Sequence, residues 1–229
     1  MTSDAASAFN PAIRPVRAVS RDQPCFDPVA YGRGPEDSVT DTTENAAVTH
    51  YQVEIGGKIM AYTATAGHLV AVDPSSSQPE AKIFYVAFTV EGADHTTRPV
   101  TFFYNGGPGS SSVYVLLGSF APMRIKTSLP KFTPPPPYTI ETNPDSLLDK
   151  TDLVFINPVG TGYSAAIAPK KNKDFWGVDQ DARSLAQFIK RAGFSDIRRN
   201  ATSEEEAYII RDALYYIRKE LEFQGYDPR

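Results

Sequence analysis

Pro99-Val100-Thr101-Phe102-Phe103-Tyr104 runs directly into Asn105-Gly106-Gly107-Pro108-Gly109, and at this junction the pattern of the chain changes. A short, nearly continuous apolar run reads as a strand buried on both faces, the kind found in parallel sheets, and the glycines end it abruptly. Beyond them, Ser110 to Leu117 reads as a helix capped by serine hydroxyls. A second buried run, Asp152-Leu153-Val154-Phe155-Ile156-Asn157, ends in another turn-rich loop, Pro158 to Ser164. Strands that hand over to such turns are where open α/β sheets hold their ligands.

Upstream the pattern is different. Thr49 to Ile55 alternates apolar and polar residues, Gly56-Gly57 follows, and Lys58 to Thr65 resumes, which predicts an antiparallel hairpin with a two-residue loop. Ala81 to Val90 predicts a third, aromatic strand. Residues 1–45, rich in Ser, Asp, Thr, Pro and Ala, predict a disordered arm, with five scattered prolines opposing any helix. Pro134 to Pro137 predict an extended, exposed connection. Apolar spacing predicts a helix from Trp176 to Arg191 and another from Ser203, where Ser203 and Glu206 match a capping box and Gly225 with Pro228 supplies the stop. The fold class is therefore α/β, with antiparallel N-terminal strands leading into a parallel sheet with flanking helices. The domain division is an arm over 1–45, an α/β body over 46–191 and a helical segment over 192–229.

The chain has 229 residues, 23 Lys+Arg and 27 Asp+Glu, for a net charge of −4. An apolar fraction of 41% is enough to build a core and excludes global disorder. Mild acidity argues against nucleic-acid or anionic-membrane partners, and no apolar run reaches membrane-spanning length. The single cysteine, Cys25, excludes a disulfide framework or multi-cysteine zinc site and reads as a bland free thiol. The three histidines show no close metal-ligand spacing, so no metal or cofactor is expected. The N-terminus has an early acid and no apolar segment, which as written predicts a cytoplasmic protein. A misplaced start could hide a signal peptide.

Glycines let a backbone approach a bound group closely, and successive N–H groups can converge on one anion. A phosphate-binding P-loop would need a lysine after the glycines, and none follows. A dinucleotide fingerprint starting at Gly107 fails at Ser112. Two readings of the residues stand: an oxyanion hole of the kind α/β-hydrolases build after an early strand, or a tight turn that only needs glycine geometry.

Tyr104-Asn105-Gly106-Gly107-Pro108-Gly109-Ser110-Ser111-Ser112, followed about fifty residues later by Val154-Phe155-Ile156-Asn157-Pro158-Val159-Gly160-Thr161-Gly162-Tyr163-Ser164, resembles the serine carboxypeptidases, closest to their bacterial branch. Pro134 to Tyr138, Ser146-Leu147-Leu148 and Lys173 to Asp179 also fit, and the likeness covers about residues 46 to 191. It implies an incomplete α/β-hydrolase fold and release of C-terminal amino acids from peptides. By that resemblance Gly107 would donate an oxyanion-hole N–H. The Asn105 side-chain amide and the Gly106 N–H would hold the substrate's terminal carboxylate, and Asn157 to Ser164 would be a supporting loop. Ser110 stands where the family often has cysteine. Ser119 stands where many members have a glutamate, which puts their preference for acidic pH in doubt. The family is often exported.

A triad on this fold follows the order Ser, Asp or Glu, His. His50, His68 and His95 all precede the glycine turn, and no Gly-x-Ser-x-Gly occurs. The histidines read as surface or edge-strand residues, and Ser164 as part of the supporting loop rather than a nucleophile. Three expectations follow: a carboxypeptidase part inactive alone, one half of a split hydrolase completed by a downstream polypeptide, or a non-catalytic module that binds peptide C-termini or a protein. Asn200-Ala201-Thr202 matches a glycosylation acceptor that is incidental without a secretory signal.

Overall fold

A computed structural model describes residues 22–73, 75–94, 97–105, 109–128 and 136–192. Strands β1 (Ala46–Ile55) and β2 (Lys58–Val72) form the hairpin, with Ile55 opposite Lys58. Gly56 and Gly57 both take positive φ (58° and 76°), the conformation that a tight two-residue turn demands. β3 (Pro79–Val90) pairs antiparallel with β2. The next strand in space is β7 (Asp152–Ile156), antiparallel to β3, and β4 (Val100–Phe103) pairs parallel with β7. The order is β1-β2-β3-β7-β4, and the two-residue strand β8 (Ala165–Ala166) pairs with β3. Two short strands, β5 (Met123–Ile125) and β6 (Ile140–Thr142), make a separate ribbon.

This is a mixed sheet with few helices, compatible with an incomplete α/β fold. β7 meets the expectation of burial on both faces. Its Val154 and Ile156 face one core with Ile83, Leu185 and Phe188, and its Leu153 and Phe155 face another with Tyr62, Phe88 and Leu148. β4 does not: all four residues are only half-buried. Among the described residues it is hydrogen-bonded on one side only, at the end of the sheet, so fewer neighbours cover it. The first core lies under helix α2 (Val178–Arg191), whose Leu185 and Phe188 pack onto the sheet. The α2 boundary falls two residues later than the spacing predicts, because Trp176 ends a short 3₁₀ turn over Asn172–Phe175.

The helix expected over 110–117 is also different. It is a single α-turn, α1 (Val113–Val115), passing into a π-turn over Leu116–Phe120. Ser112 occupies the N-cap position but its side chain makes no capping bond. It is used across the sheet instead.

The largest departure lies in the first 45 residues. The expected disordered arm is, over residues 22–45, an ordered strap along the body. Gln23 exchanges two backbone bonds with Val48 at 2.8 Å, and Val39 forms a parallel bridge to Ile167. Val39 and Val70 share a small buried cluster with Ala165 and Ile167. The buried Asn172 side chain donates to the Gly32 and Gly34 carbonyls at 3.2 and 3.0 Å. Composition missed this because the few apolar residues of the strap, Val39 among them, find their partners on the body, and backbone bonds and carboxylates supply the rest. Pro136 and Pro137 are exposed as expected. The start of the arm, His95, Pro134, Pro135 and the helix expected from Ser203 lie outside the described residues.

Candidate functional site

Asn105 emerges from the C-terminal end of β4, and its backbone N–H donates to the Ser112 hydroxyl at 3.1 Å. That hydroxyl in turn donates to the Ile156 carbonyl at the end of β7. The Ser112 N–H donates to the Asn157 side-chain carbonyl at 2.9 Å. On the other side of β7, the Ser164 hydroxyl donates to the Asn157 carbonyl at 2.7 Å and accepts the Phe84 N–H of β3 at 2.8 Å. Ser112 and Ser164 are almost wholly buried; Ser112 joins the ends of β4 and β7, and Ser164 joins the end of β7 to the middle of β3. The turn after β4 and the loop after β7 thus meet at the C-terminal end of the parallel pair. At Gly162, with φ +53°, any Cβ would run into the Asn157 amide nitrogen and close on the Ser111 Cβ, so only glycine lets the two loops approach this closely.

Of the three residues assigned to the site, Asn105 is placed here, whereas Gly106 and Gly107 lie outside the described residues. Ser119 is exposed on the π-turn, with its backbone carbonyl held by the buried Asn143 side chain at 2.7 Å. Ser164 sits in the supporting loop with its hydroxyl engaged on both sides.

A second concentration of titratable groups lies under the strap. Lys82, nearly buried in β3, pairs with Asp41 and lies 3.7 Å from Asp27. The Tyr31 hydroxyl donates to Asp27 at 2.6 Å, and the Tyr31 ring stacks on His68 at 5.2 Å. His68 Nε2 lies 2.9 Å from the Tyr163 carbonyl, an obligate acceptor, so Nε2 carries the proton. Burial pushes His68 below its ordinary value, only partly opposed by that bond. Burial would raise Asp27, but the bonds from Tyr31 and Val29 and the Lys82 charge outweigh it and hold it below the carboxylate range. Burial and then Asp27 push the Tyr31 hydroxyl well up.

His68 is therefore a buried residue, not a surface one. It lies on the part of β2 that extends beyond β1's pairing, and the strap covers that edge. His50 is on edge strand β1, 3.4 Å from Asp22. Cys25 is exposed. Sequence reasoning missed the strap contacts, although one signal was present: Lys82 stands between Ala81 and Ile83 in an apolar strand, and a lysine buried there requires carboxylate partners.

A surface groove of about 830 Å³, lined by Lys170, Lys173, Trp176, Gln180 and Arg183 among others, shares no residue with the glycine turn. Among the described residues, no group of three His, Cys, Asp or Glu could hold a metal ion, and no helix is long and apolar enough to cross a membrane.

The serine carboxypeptidase family model matches residues 54–201, a span that contains both loops and the strands that carry them. The chain belongs to the serine carboxypeptidase family. A serine carboxypeptidase-like 36 of Arabidopsis thaliana is 29% identical over 108 residues, covering 47% of this chain and 20% of that protein. The pheromone-processing carboxypeptidase KEX1 of Saccharomyces cerevisiae is 28% identical over 121 residues, covering 51% of this chain and 15% of the yeast protein. The matched part is thus a fifth or less of the length of these carboxypeptidases. A family of unknown function (DUF7706) matches residues 178–229, overlapping the carboxypeptidase match from α2 onward.

Proposed function

We propose that these 229 residues carry the substrate-positioning part of a serine-type carboxypeptidase, in an incomplete α/β-hydrolase fold, and perform no acyl transfer by themselves. The observation that carries the reading is Asn105 at the C-terminal end of the parallel β4–β7 pair, its backbone held through Ser112. In this reading the Asn105 side-chain amide and the Gly106 N–H bind the terminal carboxylate of a peptide, and the Gly107 N–H stabilises the developing oxyanion. Neutral donors hold a carboxylate through charge-assisted hydrogen bonds without burying a competing cation. α1 is too short to contribute a helix dipole of consequence, so the binding falls to Asn105 and the turn.

Acyl transfer also needs a nucleophile activated by a histidine. All three histidines precede the turn in sequence, and His68 is committed to the strap cluster. A fluorophosphonate probe is therefore expected to leave the pure chain unlabelled; stoichiometric labelling of a serine would refute the inactivity. Calorimetry should show a peptide with a free C-terminus binding at least about tenfold more tightly than its amide, as expected for a charge-assisted bond. Asn105→Ala should abolish that preference. With Ser119 in place of an acid, the preference should stay flat from pH 5 to 8, because no second carboxyl must share a proton with the ligand. Equal affinity for acid and amide would remove the carboxylate reading.

In a second form of the proposal, a downstream polypeptide supplies the nucleophile elbow, acid and histidine. Coexpression with such a segment should give a complex that the probe labels, and repeated failure to form one would exclude it.

A further inference from the structure

We propose that Ser112 is a positioning residue for the carboxylate site, setting the Asn105 backbone, and that Asn157 holds Ser112 in place. The inference rests on the carboxylate-binding reading of Asn105 and adds the residue on which that reading depends. The direct ladder between β4 and β7 ends at Phe103 opposite Phe155. Two residues on, the N–H of Asn105 and the carbonyl of Ile156 are joined through the Ser112 hydroxyl, which accepts from the first and donates to the second. A hydroxyl has one proton to give and can accept as well, so a single atom continues the pairing of two strand ends.

Ser112 is only 2% exposed, and water has no ready access to replace it. Its own N–H is fixed by the Asn157 side-chain carbonyl at 2.9 Å. Asn157 is itself tied to β3, its N–H donating to the Phe84 carbonyl at 3.0 Å and its carbonyl accepting from Ser164. Three strands, β3, β7 and β4, are thereby referenced to one another at the point where Asn105 begins the glycine turn. A group that must meet a carboxylate within hydrogen-bond distance needs this kind of support, because small displacements forfeit the bond.

The test uses the ¹⁵N-labelled 229-residue chain. In Ser112→Ala, amide exchange at Asn105 should quicken by about tenfold or more while the central β2 and β3 amides keep their protection, because one buried bond is lost locally. The ratio of affinities for a free-acid peptide and its amide should fall about tenfold, the order of one charge-assisted bond. Ser112→Thr, which retains the hydroxyl, should restore both. A purely structural lesion would weaken acid and amide alike and would deprotect the sheet, and that pattern overturns the proposal. So does unchanged Asn105 exchange in Ser112→Ala. If Ser112→Ala yields no folded chain, Ser112→Cys, which keeps the side-chain connectivity with a slightly larger atom and weakens both bonds, should shift both readouts in the same direction by less; no shift overturns the proposal. If the wild-type chain fails to distinguish acid from amide, the carboxylate reading fails, and the Asn105 exchange result still decides whether Ser112 positions that residue.

Discussion

Asp181 lies in the first turn of α2, and burial raises its carboxyl to about 6, against 3.8 for the free group. A charge near a helix N-terminus is favoured by about 0.3–1 kcal/mol, less than a displacement of this size implies, so burial wins. The folded state therefore holds the proton more tightly than the unfolded one. That contribution is full below about pH 3.8 and is lost as pH rises through about 6. At neutral pH the ionised carboxylate is a cost on the order of 2–3 kcal/mol. Asp181→Asn should raise the unfolding free energy by about that much at pH 7.5 and by little at pH 4. A thermal melt at the two pH values checks it, and an equal effect at both would remove the burial explanation.

The strap over residues 22–45 is held as an element rather than by any one contact. Its acids meet bases on the body: Asp27 and Asp41 at Lys82, Glu44 at Arg191 at 2.7 Å, and Glu36 at Lys173 at 2.5 Å. The exposed pairs contribute little each, whereas the Lys82 ammonium is nearly buried and depends on the strap for its countercharge. Lys82→Ala should cost about 2–3 kcal/mol, below the full value for a buried pair because the two carboxylates keep contact with water. It should also open residues 22–45 to protease well below the melting temperature. Lys82→Met, which retains the volume, should lose less stability but free the strap equally. A strap that remains protected in both variants would show that its backbone bridges at Val48 and Ile167 suffice.

For the molecule as a whole these groups set opposing pH dependences. His68 has a lowered value, so the unfolded chain takes up its proton first and stability falls as pH drops below about 6.5. Asp181 works the other way between about 6 and 3.8. Asp27 and Asp41 are held low, so their stabilisation is present above 3.8 and is lost as pH falls through their folded values. Between pH 6.5 and 4.5 the urea midpoints of the wild-type chain should follow the difference between the opposing His68 and Asp181 contributions. Those of Asp181→Asn should fall with acid, those of His68→Gln should rise, and all three should drop below pH 3.8. Parallel profiles would show that these two residues do not govern the dependence.

Much of the body was legible before the structure because its signals are local. Alternation over Thr49 to Ile55 and the Gly56-Gly57 turn specify a hairpin whatever surrounds it, and the run Asp152 to Ile156 specifies a strand covered on both faces. The likeness of the Asn105 to Ser112 and Val154 to Ser164 blocks specified the family, since each block must fit the same neighbouring backbone. What the residues could not announce is which partner each polar group takes. The Ser112 hydroxyl suits a helix cap by local chemistry, yet in the packed sheet it is engaged by the Ile156 carbonyl and the Asn105 N–H instead. Residues 22–45 carry too little apolar surface to order themselves, and they order because the body presents Lys82, Val70 and the backbone of β1 and β8 to them. Strand periodicity and turn geometry are properties of short stretches and were set by the sequence itself. The strap, the half-buried β4 and the serine bridges depend on groups far apart in the chain, and only the tertiary structure, by bringing those groups within hydrogen-bond reach, decided them.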